Sequence, residues 1–288
     1  MSRSRLASLA VLVAALVLSA CGGGAESPSV ASSEPAEPSA AAHVHGLGIN
    51  PSDGALIVAT HSGLLRAPAG EQRAVPYGDS RQDVMGFSIL GPDRFVGSGH
   101  PDPERTDQPP NLGLIESADG GRNWASVSLL GEADFHVLES QGDQVYGFNG
   151  ATGRLMASAN GGKVWKEQQP PAAVFALAID PDDARHVVAS TEEGVFTSAD
   201  EGATWRALSS ELAGLLAWPA KDRLLLMDGS GTIQTSADGG RGWRAAGSIG
   251  SQPAAFVAAG GALYAATGDG SVQESADAGA TWRLRATP

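Results

Sequence analysis

Ser117-Ala118-Asp119-Gly120-Gly121-Arg122-Asn123-Trp124 is the first of five copies of one pattern, Ser-Ala-Asp/Asn-x-Gly-x-x-Trp. The other copies begin at Ser158, Ser198, Ser236 and Ser275, so the repeat is about forty residues long. Five of the six tryptophans lie in these copies, which composition alone does not explain. A repeat of this length is typical of a β-propeller with one blade per repeat.

The strands around the motif repeat as well, and they predict six units rather than five. The apolar segments that mark the six units are Leu56–Val58, Phe95–Gly97, Val145–Gly147, Val187–Ala189, Leu224–Leu226 and Leu263–Ala265. The first unit has strands but no motif, because Gly63–Arg66 runs into Ala67–Gly70. An insertion rich in proline and charge, His100–Asn111, is expected to form an exposed loop.

The sequence therefore predicts an all-β fold, a six-bladed β-propeller of four-stranded antiparallel blades over residues 43–288. The expected blades cover approximately residues 43–80, 81–131, 132–171, 172–212, 213–250 and 251–288.

The repeated motif resembles the Asp box, or BNR repeat, of sialidase-like propellers. This superfamily includes bacterial glycosyl hydrolases, sortilin-type receptors and photosystem assembly factors. The resemblance implies a hairpin between the third and fourth strands of a blade, with an acidic residue that caps backbone amides and a tryptophan that packs between blades. Asn160 replaces the aspartate in the second copy and can make the same caps. The residues given this structural role are Asp119, Trp124, Asn160, Trp165, Asp200, Trp205, Asp238, Trp243, Asp277 and Trp282.

The N-terminal segment has the features of an export signal. Arg3 and Arg5 precede an apolar run, Leu6–Leu18, that is too short to span a bilayer. Small residues then lead to Cys21, the only cysteine, which resembles the lipidated residue of a bacterial lipobox. We expect a lipoprotein signal peptide at residues 1–20, a lipid on Cys21 and a flexible linker over residues 21–42. These features predict a protein held by its lipid anchor on the outer face of the bacterial cytoplasmic membrane.

The charge balance excludes one class of partner. The chain has 19 basic and 32 acidic residues, a formal net charge of −13. Proteins that bind nucleic acid carry basic patches that neutralise phosphates, so no nucleic-acid partner is expected.

Five of the six histidines are predicted to gather at one end of the propeller. His43 and His45 begin the innermost strand of blade one. The same two positions hold Asp83 and Met85 in blade two, and Asp134 and His136 in blade three. Aligned with His45, blades four to six show Phe175, Leu216 and Phe256. His61 and His100 end second strands, which finish where innermost strands begin, whereas His186 begins a second strand and belongs at the opposite end.

This set of side chains has three interpretations. Histidine, methionine and carboxylate together can bind copper or zinc, and metal binding through neutral imidazole weakens below about pH 6. The set can also be a hydrated polar mouth, or a pocket for a sugar or a small anion. The candidate site residues are His43, His45, His61, Asp83, Met85, His100, Asp134 and His136.

Three functions follow from these observations. The first is a non-enzymatic scaffold that binds a small ligand or a protein partner, the second is metal binding at the histidine mouth, and the third is glycoside hydrolysis. Sialidase chemistry needs an arginine triad and a tyrosine nucleophile with a nearby glutamate. Tyr146 and Tyr264 fall at core positions of the repeat, and no arginine recurs at strand starts near the axis, so we expect no sialidase activity.

Overall fold

The computed structural model describes residues 43–79 and 81–288. The predicted signal peptide, Cys21 and the predicted linker lie outside these described residues. Within residues 43–79 and 81–288, no helix is long and apolar enough to cross a membrane.

Six antiparallel sheets of four strands each make up the fold, which confirms the predicted six-bladed propeller. The strands of blades one to three are β1 (Val44–Ile49), β2 (Leu56–Thr60), β3 (Gly63–Ala67), β4 (Val75–Tyr77), β5 (Asp83–Gly91), β6 (Arg94–His100), β7 (Leu114–Ser117), β8 (Ala125–Ser128), β9 (Phe135–Gln141), β10 (Gln144–Asn149), β11 (Arg154–Ser158) and β12 (Lys166–Gln168). Those of blades four to six are β13 (Val174–Asp180), β14 (Asp183–Thr191), β15 (Gly194–Ser198), β16 (Arg206–Ser209), β17 (Leu215–Ala220), β18 (Arg223–Met227), β19 (Thr232–Ser236), β20 (Arg244–Ser248), β21 (Pro253–Ala259), β22 (Ala262–Thr267), β23 (Val272–Ser275) and β24 (Arg283–Ala286).

Each blade runs from the axis outward. The first strands of neighbouring blades pack against one another in chain order, and β21 packs against β1 to complete the ring. The second strands of blades one, three and six are buried along their whole length, as expected for sheets covered on both faces. The insertion between β6 and β7 forms a loop whose residues are mostly exposed, as predicted.

The repeated motif forms a tight loop between the third and fourth strands of blades two to six. In the first copy, the amide of Gly121 donates to Ser117 Oγ at 2.8 Å, and the amide of Asn123 donates to Asp119 Oδ1 at 2.9 Å. Hydrogen bonds to the Asp119 carboxylate, above all the one from the backbone amide of Asn123, lower its pKa to about 2. Asn160 accepts the equivalent bond from the amide of Val164 at 2.9 Å, so the substituted copy keeps the cap.

Each motif tryptophan packs between its own blade and the blade before it. Trp124 joins the apolar cluster between blades one and two, and the other four motif tryptophans occupy the next four interfaces in turn, Trp165, Trp205, Trp243 and Trp282. The motif therefore joins neighbouring blades as well as turning the chain.

The interface between blades six and one has no motif tryptophan, because blade one has no motif. Its core contains six buried alanines, among them Ala67, Ala74 and Ala286, together with Tyr264 and buried leucine and valine side chains. Backbone bonds supplement this packing, since Ala74 donates to the carbonyl of Thr287 at 2.7 Å and Thr287 donates to Gln72 at 2.9 Å. All four strands of blade one and of blade six are consecutive in the chain, so the ring closes without strand exchange.

Two adjacent glycines of the second motif allow packing against the preceding blade to be tested. Gly161 and Gly162 both have positive φ, 70° and 78°. A Cβ on Gly162 would lie 2.0 Å from Cδ2 of the buried Leu114 in blade two, whereas a Cβ on Gly161 meets nothing within 4 Å. We expect Gly161→Ala to cost about 1 kcal/mol of backbone strain and Gly162→Ala about 1–3 kcal/mol more, from overpacking. Chemical denaturation of the two variants measures the difference, and equal losses would contradict the close approach.

Candidate functional site

A central channel of about 570 Å³ runs between the innermost strands of the six blades. In five of these strands, one extra residue at the start forms a β-bulge against the second strand. These bulge residues are His45, Met85, His136, Phe175 and Ala254, and all five line the channel. Bulges change the direction of side chains and are frequent beside functional sites.

The strand register corrects the sequence alignment in the last two blades. Leu47 pairs with Val58, and its equivalents Leu216 and Phe256 pair with Leu226 and Ala265. The positions equivalent to His45 are therefore Gly214 and Ala254, two residues earlier than Leu216 and Phe256. The alignment is wrong there because the apolar pattern alone does not fix the register of the innermost strand against the second strand. The histidines at this level thus come from blades one and three, blade two contributes Met85, and blades four to six contribute Phe175, glycine and alanine.

Three of the predicted residues converge at the start of blades one and two. His45 Nε2 lies 3.1 Å from His61 Nδ1, and His61 Nδ1 lies 2.8 Å from Asp83 Oδ2. The distance from His45 Nε2 to Asp83 Oδ1 is 3.6 Å. One ligand atom from each of the three side chains lies within 4.8 Å of the other two, close enough to hold one metal ion. Within the described part of the chain, this is the group of histidine and carboxylate side chains that meets this condition. We call His45, His61 and Asp83 the mouth triad.

Hydrogen bonds alone do not satisfy the mouth triad. His61 Nδ1 carries either a proton or a lone pair in the ring plane, yet it faces both His45 Nε2 and Asp83 Oδ2. If Nδ1 donates to the carboxylate, it cannot accept from His45. If it accepts from His45, its lone pair faces a carboxylate lone pair. In addition, Asp83 Oδ1 is buried and accepts no hydrogen bond in the described structure.

Surrounding groups keep His45 neutral. Burial, followed by the neighbouring His61, lowers the pKa of His45 to about 4, although Asp83 acts in the opposite direction. His45 is therefore a neutral imidazole from about pH 5 upward, which is the form that binds metals. The expected loss of metal binding below about pH 6 does not originate at His45.

The other predicted residues lie around the mouth triad without joining it. The ring centroid of His43 is 5.3 Å from that of His61. His136 Nε2 lies 2.8 Å from Asp134 Oδ2, and the Oδ1 atom of Asp134 is buried without a hydrogen bond in the described structure. His100 pairs with Asp83 across β5 and β6, but its Nδ1 is 2.8 Å from the carbonyl oxygen of Pro110. Met85 lines the channel.

His186 lies at the opposite end, where its position at the start of a second strand predicts it. It contacts Asp180 and Thr197 at 2.8 Å each, and its ring packs edge-on against Trp218. These three contacts hold the imidazole in place, so His186 has a structural role between blades four and five.

Glu139 is a channel residue that sequence reasoning missed. It is half-buried on β9 and lines the channel, and no described residue hydrogen-bonds to its carboxyl group. Burial raises the pKa of Glu139 to about 8. A single glutamate in a strand gives no sequence signal, because every residue from His136 to Gln141 lines the channel.

The two core tyrosines are buried, as predicted, and are hydrogen-bonded. Tyr146 donates to the carbonyl of Ala184 at 2.8 Å, and Tyr264 donates to Glu274 Oε1 at 3.3 Å. Burial, and then Glu274, raise the pKa of Tyr264. A tyrosine nucleophile requires the reverse, a hydroxyl that loses its proton easily.

The fold and its axial channel define this chain as a six-bladed β-propeller. No family model matches the chain, and no curated protein sequence matches it. Among solved structures it is similar to YCF48 from Cyanidioschyzon merolae, with 16% identity and a TM-score of 0.52 over 85% of each chain. It is also similar to a GH74 xyloglucanase from Xanthomonas campestris, with 18% identity and a TM-score of 0.55 over 84% of this chain and 45% of that one. A chain of a nidogen/laminin complex matches with 12% identity and a TM-score of 0.60, over 81% of this chain and 96% of the other. These similarities establish the fold, and the chain spans less than half the length of the xyloglucanase.

The raised pKa of Glu139 predicts a specific pH dependence of stability. An unfolded glutamate ionises near pH 4.5, whereas Glu139 in the folded protein keeps its proton to about pH 8. Between these values the folded state binds more protons, so this group makes the free energy of unfolding fall as pH rises, by at most about 1.4 kcal/mol per pH unit. Glu139→Gln removes this pH-dependent contribution to the free energy of unfolding. The stability of the variant relative to the wild type therefore increases from pH 5 to pH 8. Urea unfolding at several pH values measures it, with the exposed Glu132→Gln as control; parallel profiles for all three proteins would refute the assignment.

Proposed function

We propose that this protein is an exported lipoprotein of the Asp-box propeller type that serves as a binding scaffold, and that its mouth triad binds a transition metal, copper or zinc. The observation that carries the metal proposal is the convergence of His45 Nε2, His61 Nδ1 and a carboxylate of Asp83 within one coordination sphere.

The distances in the mouth triad match those between metal ligands. Tetrahedral zinc with bonds of about 2.0–2.1 Å keeps its ligands about 3.3 Å apart. The separation of the two imidazole nitrogens, 3.1 Å, is close to this value, and the Asp83 oxygens lie 2.8 Å (Oδ2) from His61 Nδ1 and 3.6 Å (Oδ1) from His45 Nε2. An ion at the centre would also accept the lone pairs that protons cannot satisfy together.

The donor set favours a divalent ion with an open position. Two imidazole nitrogens and one carboxylate oxygen suit zinc or copper(II), and copper(II) binds the more tightly of the two to most such sites. Three protein ligands leave at least one coordination position for water or a bound molecule. His43 is the nearest additional imidazole, on the ring-centroid distance to His61.

Titration of the purified, metal-stripped protein with copper(II) and zinc at pH 7 tests this proposal. We expect one ion per chain, with His61→Ala weakening affinity more than about 100-fold, since even residues that only support a ligand are worth 10–100-fold. His61 is the most exposed member of the triad, with 46% of its side chain accessible, so its removal perturbs the core least.

His100→Ala is the matched control, because His100 lies at the same mouth but bonds to Pro110 instead of the triad. It should bind copper(II) and zinc as the wild type does. The proposal is wrong if neither ion binds, or if His100→Ala and His61→Ala reduce affinity equally.

Export and anchoring are a separate part of the proposal. The basic n-region, the apolar run and Cys21 after small residues support it. In a bacterial host we expect the protein to take up a labelled fatty acid and to fractionate with membranes. Cys21→Ser should abolish both the label and the processing of the signal peptide. Labelling that persists in Cys21→Ser would contradict a lipid on this residue.

A protein partner is a further form of the scaffold role. One of the similar structures is described as YCF48 bound to D1 peptide, so a propeller of this fold does bind a peptide in that case. We propose that the mouth and the channel it opens into are the binding region here, because Phe175, a large apolar residue at the mouth, is exposed.

A further inference from the structure

Below the mouth triad, the channel has an interior that the metal proposal does not use. Among the described residues that line it, Glu139 is the one carboxylate, and the other titratable groups are His45 and His136. Four aromatic side chains also contribute to the wall, Phe87, Phe175, Trp218 and Phe256. The remaining wall is mostly alanine, leucine, isoleucine and glycine.

We propose that this channel binds a small organic cation, an ammonium or quaternary ammonium group on an apolar body, with Glu139 as counter-ion and the aromatic side chains as walls. The volume of about 570 Å³ lies within the range of small-molecule sites.

The environment of Glu139 is the first argument. Carboxyl groups inside proteins are normally paired or hydrogen-bonded, because burying an unpaired charge is costly. The hydroxyl of the next residue, Ser140, bonds to Ser88 Oγ at 2.7 Å. The carboxyl group of Glu139 has no hydrogen bond from the described residues, and burial keeps it protonated to about pH 8. A bound cation supplies the missing partner and brings the carboxylate into its charged form.

The aromatic wall is the second argument. The faces of phenyl and indole rings attract cations, and this attraction strengthens when the cation is removed from water. Phe175, at the bulge position of blade four, has 48% of its surface exposed although it is a large apolar residue. Phe256 holds the register position of Leu138, the residue before Glu139, so a channel-lining ring and the carboxylate lie at adjacent levels of the channel. This is the combination that recognises an ammonium group on an apolar body.

Charge favours a cation over an anion. The chain has a net charge of −13, which attracts cations to the protein as a whole. The imidazoles that face the channel do not oppose this, because His45 is neutral above about pH 5 and His136 is paired with Asp134.

Calorimetric titration with choline and benzyltrimethylammonium, which are charged at every pH, tests the proposal in the presence of a chelator. The control ligand is neohexyl alcohol, in which carbon replaces the nitrogen of choline. We expect at least one of the two cations to bind and neohexyl alcohol to bind far more weakly than choline. Because Glu139 must lose its proton, affinity for the cation should rise about 25-fold between pH 6.5 and 8.5, a value that follows from a pKa of about 8.

Glu139→Gln should abolish this pH dependence and weaken binding, whereas the exposed Glu132→Gln should retain both. Phe256→Leu is a second variant, which removes a channel-lining ring at the level next to Glu139 but keeps an apolar side chain, and it should weaken cation binding without changing its pH dependence. The proposal is overturned if neither cation binds, if neohexyl alcohol binds as well as choline, or if affinity rises as the pH falls. The last result would mean that neutral Glu139 donates a hydrogen bond to its ligand. His61→Ala should leave cation binding intact, so this site and the metal site can fail separately.

Discussion

The packing of each motif against the preceding blade is the interaction on which the ring depends. The indole lies in the cluster between two blades, and the motif glycine allows the loop to approach an aliphatic side chain of the neighbour, such as Leu64 or Leu114. Each blade alone is a four-stranded sheet with two apolar faces, which cannot be stable in water. Because one octapeptide provides the turn, its cap and the contact with the neighbour, its repetition joins five of the six blade interfaces, and the interface between blades six and one closes without it. The central channel follows from the same arrangement.

Most of the fold could be predicted from the sequence because this motif is local and regular. The period gave the blade length, and the second strands revealed the first blade, which lacks a motif. The interface between blades six and one could not be predicted, because it depends on small side chains such as Ala74 and Ala286 and on backbone bonds between the ends of the ring. Alanine is common in this chain, so nothing distinguishes these alanines before the chain folds.

The candidate site was predictable in part. The order of strands placed the histidines at one end, and the structure brings His45, His61 and Asp83 into contact there. It does not unite the whole predicted set, since His100 turns to Pro110 and His136 pairs with Asp134. The pattern of apolar residues could not separate these cases, because β-bulges shift which residues face the channel without changing the composition of the strand. The equivalence of Ala254 to His45 was missed for this reason, whereas Glu139 was missed because a single glutamate forms no pattern.

The mouth triad takes two residues from blade one and one from blade two. Blade one is the blade without a motif of its own, so its contact with blade six contains no tryptophan and rests on aliphatic side chains, Tyr264 and backbone bonds. An ion coordinated by the triad would fasten blade one to blade two from the axial side, while Trp124 holds the same pair farther out. Loading the site would then stiffen this pair of blades, so that occupancy of the metal site and the rigidity of that part of the toroid would change together.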